Sequence, residues 1–206
     1  MFQIINKIYQ VLFFSPNKYA KKQKNIHTHK SSIFLDGAHF RLNPTNKITI
    51  GKNSLVGAFF NFESTKGEVI IGENTFIHDG SKLMARTKIE IGNHVMISWD
   101  CTIMDHSSHS LNYQERVNDF DKLLLSTQQK RHLLKDKSWE YVNTTPVKIE
   151  DHVWIGFGAV IMRGVTIHEG AIVGSQSVVR EDVPAWSVVI GNPARVVKKL
   201  KPKSNN

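Results

Sequence analysis

Aliphatic residues recur at every sixth position over most of this chain. The longest unbroken run is Ile149, Ile155, Ile161, Ile167, Val173 and Val179. Shorter runs precede it, with a displacement of two residues at the KIEIG segment: Ile50, Val56 and Phe62; Ile71, Ile77, Leu83 and Ile89; Ile91, Ile97 and Ile103. An α-helix would spread such positions around its surface. The alternation of a β-strand alone does not explain why an aliphatic position recurs at every sixth residue.

A period of six suits a chain that coils around a triangular prism. Each face is a short strand with one aliphatic side chain pointing inward, and a glycine or small residue turns the corner. The pattern therefore predicts an all-β fold, a parallel β-helix of six-residue repeats. A β-sandwich with coincidental spacing is the minor alternative.

The repeats divide the chain into segments. We expect a partly helical N-terminal segment over residues 1–47, a β-helix domain over residues 48–200 and a tail over residues 201–206. The period is lost between Met104 and Pro146, so the β-helix is expected to carry a long inserted loop over residues 105–146. A loop of that length in a compact domain is usually functional or disordered.

The N-terminus is apolar on one face if it is helical, through Phe2, Ile5, Tyr9 and Leu12. It is too short to span a bilayer and makes a poor signal peptide. We expect it to pack on the body of the protein. The alternative is an amphipathic segment that touches an anionic membrane with the help of nearby lysines.

The chain has 27 Lys and Arg against 18 Asp and Glu, a net charge of +9 that attracts anions. The basic residues cluster at the termini and in the insertion without interleaved aromatic residues, so no nucleic-acid partner is expected. A non-enzymatic module that binds anions remains a minor alternative. Cys101 is the single cysteine, so no intrachain disulfide can form. A reducing compartment fits this, and we expect a cytoplasmic location, with the inner face of the membrane as the alternative.

Two segments that break the repeat carry residues capable of chemistry. The insertion opens with Asp105, His106 and His109, and histidine is the side chain best suited to general-base work near neutrality. Asp105 or Glu115 is expected to orient an imidazole. The other segment begins with residues 153–159 and ends in a basic stretch. A ligand with phosphates would be favoured at that basic end, which contains Arg180, Arg195, Lys198 and Lys199.

These two segments also resemble a known family. The run VWIGFGAVIMRGVTIHEGAIVGSQSVVREDVPAWSVVIGNPARVVKKL is similar to the C-terminal coils of hexapeptide-repeat acyltransferases. Within that family it resembles the galactoside, maltose and streptogramin O-acetyltransferases and their polysaccharide-modifying relatives. ISWDCTIMDHSSHSL resembles the coil and loop that carry the group's catalytic histidine. The likeness covers roughly residues 48–200.

The resemblance implies a left-handed coil, a homotrimer with active sites between subunits, and acetyl-CoA as acyl donor without a metal. Transfer would run directly to a hydroxyl of a sugar or of a surface-polysaccharide precursor. The family's histidine follows the threonine of the preceding repeat by six or seven residues, which from Thr102 indicates His109 as the base, with His106 as second choice. Cofactor contacts are implied for Trp154, Phe157, Ala159, Ser175, Arg180, Arg195 and Lys198.

The chain departs from the family pattern at three points. Arg180-Glu181-Asp182 replaces a Thr-Lys-Asp, so the phosphate contacts are expected to differ. Phe157 replaces a small residue and would narrow the groove or stack on the cofactor. The insertion is also longer than in the antibiotic-modifying relatives, so their acceptors do not carry over.

A zinc enzyme is the alternative from another class. Some trimeric β-helices resemble carbonic anhydrases that hold zinc with histidines from adjacent subunits. His78, His94 and His152 lie inside repeats and are the candidate ligands, although no HxxxxH pair occurs on the coils.

Overall fold

The computed structural model describes residues 14–130 and 136–202 of the 206-residue chain. The apolar face proposed for Phe2, Ile5, Tyr9 and Leu12 lies outside the described residues. Helix α1 (Pro16–Lys21) follows, with Ser15 as its N-cap and Pro16 in its first turn. Within the described ranges, no helix has the length and hydropathy that crossing a bilayer requires.

Three sheets form the faces of the prism, and the chain visits them in turn. Sheet A contains β1 (Ile26–Thr28), β4 (Lys47–Ile50), β7 (Glu68–Ile71), β10 (Lys88–Ile91), β13 (Val147–Ile149) and β16 (Thr166–Ile167). Sheet B contains β2 (Ile33–Phe34), β5 (Leu55–Val56), β8 (Phe76–Ile77), β11 (Met96–Ile97), β14 (Trp154–Ile155), β17 (Ile172–Val173), β19 (Ser187–Ile190) and β20 (Arg195–Lys199). Sheet C contains β3 (His39–Arg41), β6 (Phe59–Phe62), β9 (Lys82–Ala85), β12 (Thr102–Met104), β15 (Val160–Ile161) and β18 (Val178–Val179).

Each strand pairs in parallel with the strand one coil earlier or later, except that β20 returns antiparallel to β19. The residues of the six-residue period all point inward. Ile149, Ile155, Ile161, Ile167 and Val173 are at most 1% exposed and stack in the core. The fold is the predicted left-handed parallel β-helix.

The displacement at KIEIG has a structural cause. Ile71 pairs with Ile91 in a coil of 20 residues, whereas Ile149 pairs with Ile167 in a coil of 18. The additional residues lie at the corner between sheets C and A, next to Arg86 and Thr87. The insertion leaves the coils at this same corner one coil later.

The β-helix begins earlier than the expected boundary at residue 48. Strands β1, β2 and β3 already form a complete coil, with Ile26 paired to Ile48. This coil has no clear six-residue repeat, because its register advances by 22 residues from Ile26 to Ile48 and aromatic side chains fill its interior. Phe34, Phe40 and Phe60 pack against one another there with ring centroids 5.0 to 6.0 Å apart.

Candidate active site

The two ends of the insertion are tied together where it leaves the coils. His106 forms an antiparallel bridge with Thr144, and the Ser107 amide donates to the Asn143 carbonyl at 2.9 Å. Between these ends the expected loop contains a 16-residue helix, α2 (Tyr113–Gln128). Its N-cap is Asn112, whose side chain accepts from the Gln114 amide, and Glu115 lies in its first turn.

Asp105 does not orient an imidazole. Its buried carboxylate accepts from the backbone amides of Arg86, Thr87 and Lys88 at 2.6 to 2.8 Å, and from the Thr87 hydroxyl at 3.0 Å. These donors belong to the widened corner of the preceding coil. Asp105 therefore fastens the start of the insertion to that coil, and its oxygens are occupied.

His106 is completely buried. Its Nδ1 accepts from the Ser108 amide at 3.1 Å, and its Nε2 has no hydrogen-bond partner among the described residues. Burial lowers the pKa of His106, although the nearby carboxylates of Glu63 and Asp105 oppose that shift. Oε2 of Glu63 lies 3.6 Å from Nε2, and within one chain this imidazole is enclosed and out of reach of an acceptor in solvent.

His109 has the opposite environment. Its side chain is 46% exposed, and its Nδ1 lies 3.2 Å from Oδ2 of Asp119, whose side chain is only 6% exposed. Asp119 lies on the buried side of helix α2. When Nδ1 donates its proton to this carboxylate, Nε2 carries a lone pair, which is the arrangement of a general base.

Lys137 completes this cluster. Its side chain is 3% exposed, and its Nζ lies 3.6 Å from Asp119 Oδ2 and 3.3 Å from His109 Nδ1. Sequence reasoning missed both Asp119 and Lys137. An asparagine followed three residues later by glutamate, Asn112 and Glu115, was the readable sign of a helix start, but nothing in the sequence marked which face of that helix would be buried.

The residues implied for the cofactor lie on another part of the prism. Trp154 is 51% exposed on the outer face of sheet B. Phe157 stacks on Trp99 at the corner between sheets B and C, with ring centroids 5.3 Å apart and planes 9° apart. Ser175 occupies the same corner one coil later, against Gly156. Ala159 is a correction: its side chain is fully buried in the core and cannot line a groove.

The basic end of the predicted groove is exposed. Arg180 and Lys198 are both at the surface, and Lys198 pairs with Val188 across the antiparallel strands. Arg195 Nη1 lies 3.8 Å from Glu181 Oε1, beside a cavity of about 90 Å³. Glu181 therefore reduces the positive charge that we expected here from Arg180, Arg195, Lys198 and Lys199.

A larger groove, of about 510 Å³, lies on the outer face of sheet A. Its lining includes the carboxylates of Glu90, Glu150, Asp151 and Glu169. These would repel the phosphates of a cofactor, so we do not assign the groove to one.

A single chain does not bring the two halves of the predicted site together. His109 follows the end of β12 on sheet C, whereas Phe157 and Ser175 lie at the corner where sheet C begins. The histidine and the implied cofactor residues Phe157 and Ser175 thus lie at opposite ends of the strands of sheet C. Trp154 lies on sheet B.

The histidines of the zinc alternative do not converge. His94 and His152 occupy equivalent corners of successive coils with φ of 54° and 61°, and their rings stack at 5.3 Å. His78 instead packs edge-on against Trp99. Over residues 14–130 and 136–202, no group of three His, Cys, Asp or Glu side chains is arranged to hold a metal ion.

Residues 146–181 match the family model described as bacterial transferase hexapeptide, six repeats. A candidate acetyltransferase of Schizosaccharomyces pombe is 26% identical over 113 residues, which are 55% of this chain and 54% of that relative. A candidate acetyltransferase of Staphylococcus aureus strain MRSA252 is 30% identical over 112 residues, 54% of this chain and 55% of that relative. The chain spans about half the length of these curated relatives.

Solved structures match over most of the chain. A hexapeptide-repeat acetyltransferase of Vibrio cholerae O1 biovar eltor, in complex with acetyl coenzyme A, is 28% identical with a TM-score of 0.55, covering 95% of this chain and 84% of that one. AntD, an N-acyltransferase of Bacillus cereus, is 24% identical with a TM-score of 0.66, covering 92% and 91%, and supports the fold alone. Residues 146–181 therefore carry the bacterial transferase hexapeptide repeat, and the solved structures share the β-helix fold over most of the chain.

Proposed function

We propose that the protein transfers an acetyl group from acetyl-CoA to a hydroxyl of a sugar or of a surface-polysaccharide precursor. The observation that carries this proposal is the exposed His109 imidazole, whose Nδ1 contacts the buried Asp119 carboxylate and whose Nε2 is left for an acceptor. The similarity to an acetyltransferase solved with acetyl coenzyme A supports the choice of donor.

The proposed reaction needs one general base. Nε2 of His109 takes the proton of the acceptor hydroxyl while the oxygen attacks the thioester carbonyl carbon. The tetrahedral intermediate collapses, the carbon–sulfur bond breaks, and the imidazolium returns the proton to the departing thiolate. Asp119 stabilises the imidazolium between these steps, and assistance of this kind contributes about 10²- to 10⁴-fold.

No acyl-enzyme is required. Cys101 is completely buried, its Sγ lies 3.2 Å from the Gly156 carbonyl oxygen, and burial raises the pKa of its thiol. A buried, protonated thiol is a poor nucleophile.

We also propose that the working unit is a homotrimer. The outward positions of sheet B form one continuous apolar row, in register from coil to coil: Ile33, Leu55, Phe76, Met96, Trp154 and Ile172. The corresponding row of sheet A is polar except for Ile70, and contains His27, Thr49, Ile70, Glu90, Lys148 and Thr166. An exposed apolar face of this extent marks an interface, and a second copy there would bring the cofactor residues of one chain towards His109 of another.

The assembly has a matched test. Met96→Glu places a charge in the apolar row, and we expect it to convert a trimer into monomers by light scattering and to abolish transfer. Thr49→Glu changes the outer face of sheet A and should affect neither. A wild-type monomer with full activity would contradict the trimer.

The activity is tested by measuring acetyl-CoA binding by calorimetry and CoA release against a panel of hydroxyl and amino sugars. We expect saturable binding and acceptor-dependent release with hydroxyl acceptors. Release with amino sugars alone would keep acyl transfer and overturn the O-transfer assignment. Absence of binding would overturn the proposed function, and stoichiometric zinc by elemental analysis would favour the alternative enzyme class.

A further inference from the structure

Lys137 is a buried cation to which the proposed reaction assigns no role. Lysine is rarely buried without a partner, because removing the ammonium from water costs free energy. Its side chain is 3% exposed, and its Nζ lies 4.9 Å from the centroid of the Trp139 ring. The same ammonium lies close to Asp119 and to His109, so it faces the proposed base directly.

Nδ1 of His109 has two alternative partners. If Nδ1 carries a proton, it donates to Asp119 Oδ2 at 3.2 Å, and Nε2 is free to act as a base. If Nδ1 is unprotonated, it accepts from Lys137 Nζ at 3.3 Å, and the ring proton moves to Nε2. Only the first arrangement leaves a base directed at the acceptor.

The charge of Asp119 also affects whether the His109 imidazole can act as a base. A buried carboxylate next to an imidazole favours the imidazolium, which has no lone pair to accept a proton. A cation on the same carboxylate opposes this effect. The Lys137 ammonium contacts both the Asp119 carboxylate and the face of Trp139, and this cation–π contact offsets part of its desolvation.

We propose that Lys137 is a positioning residue that pairs with Asp119 and keeps the His109 imidazole neutral. This inference rests on the proposed function of His109. Other charged groups nearby have partners of their own. The Arg86 guanidinium lies 5.1 Å from the centroid of the Trp139 ring and donates to the Thr144 hydroxyl. The Arg116 guanidinium donates to the carbonyls of Ser110 and Leu111, and Asp136 accepts from the Ser126 hydroxyl.

The test is the pH dependence of kcat/KM for acetyl transfer. In Lys137→Met the Asp119 charge is no longer offset, so we expect the acidic limb of the profile to move up by about one pH unit. Activity should fall about 10-fold at the lower pH values and recover at high pH. Lys130→Met removes an exposed cation from the same insertion and should leave the limb in place.

A uniform loss at every pH in a folded Lys137→Met protein would show a merely structural role and overturn the proposal. Should that variant fail to fold, Lys137→Gln supplies the decision, because it also removes the charge. In its ¹⁵N-histidine spectra, with the His109 signals identified by comparison with His109→Gln, we expect the imidazolium to persist to higher pH than in the wild type. The same pH dependence in both proteins would overturn the proposal. The spectrum does not depend on turnover, so its outcome is separable from a failure of the proposed function.

Discussion

Nδ1 of His109 and Oδ2 of Asp119 lie 3.2 Å apart, joining the loop that leaves the coils to the helix inside the insertion. The coils supply neither side chain. The β-helix provides a rigid corner, fastened by Asp105, and the insertion builds the pair on it. The scaffold and the residues of the proposed chemistry therefore come from separate parts of the chain, as is common for a fold that hosts many functions.

Asp119→Asn tests the orienting carboxylate. The amide retains the shape but cannot stabilise the imidazolium, so we expect kcat to fall about 10²-fold while the affinity for acetyl-CoA is unchanged. Steady-state kinetics and calorimetry measure the two quantities. Asp121→Asn, exposed on the same helix, is the control. Equal activities in the two variants would remove Asp119 from the mechanism.

His106 should make stability depend on pH. Its folded-state pKa is lowered by burial, so below about pH 6.5 the unfolded chain binds a proton that the folded chain resists. The contribution of His106 to the free energy of unfolding is complete above that pH. It declines as the pH falls towards the folded-state pKa, by up to about 1.4 kcal/mol per pH unit. Urea unfolding at pH 7.5 and 5.5 measures the loss.

His106→Gln removes this titration, so its stability should change less between the two pH values than that of the wild type. His27→Gln, at an exposed position on β1, should keep the wild-type dependence. The idea fails if His106→Gln and the wild type lose the same stability on acidification.

Asp105→Ala should destabilise the fold rather than the chemistry. It leaves the amides of Arg86, Thr87 and Lys88 without their acceptor in a buried corner, and we expect a loss of about 3 kcal/mol. Denaturant titration measures it, with exposed Asp121→Ala as the reference. A loss below 0.5 kcal/mol, the usual range of surface substitutions, would show that the corner does not depend on this carboxylate.

The coils were predictable because each inward position repeats one simple requirement. Ile155, Ile161 and Ile167 must be apolar to fill the core, and their spacing reports the prism directly. The first coil was not predictable in this way, because extra corner residues destroy the period between Ile26 and Ile48.

The insertion resisted prediction for a different reason. Helix α2 exposes Tyr113, Val117, Phe120 and Leu124, while Asp119 and Ser126 are buried. This reverses the usual rule that the apolar face of a helix points inward. A reading of the sequence by hydrophobicity would turn Asp119 towards solvent, so its approach to His109 appears only in the folded chain. The choice of His109 came from the family resemblance, counted from Thr102, and stays a prediction.

The most direct test of the account is a comparison of His109→Ala with the wild type under single-turnover conditions, with saturating acetyl-CoA and an active acceptor. We predict that the variant binds acetyl-CoA as tightly as the wild type but transfers the acetyl group about 10²- to 10⁴-fold more slowly. Transfer at the wild-type rate in His109→Ala would contradict the assignment of His109 as the general base.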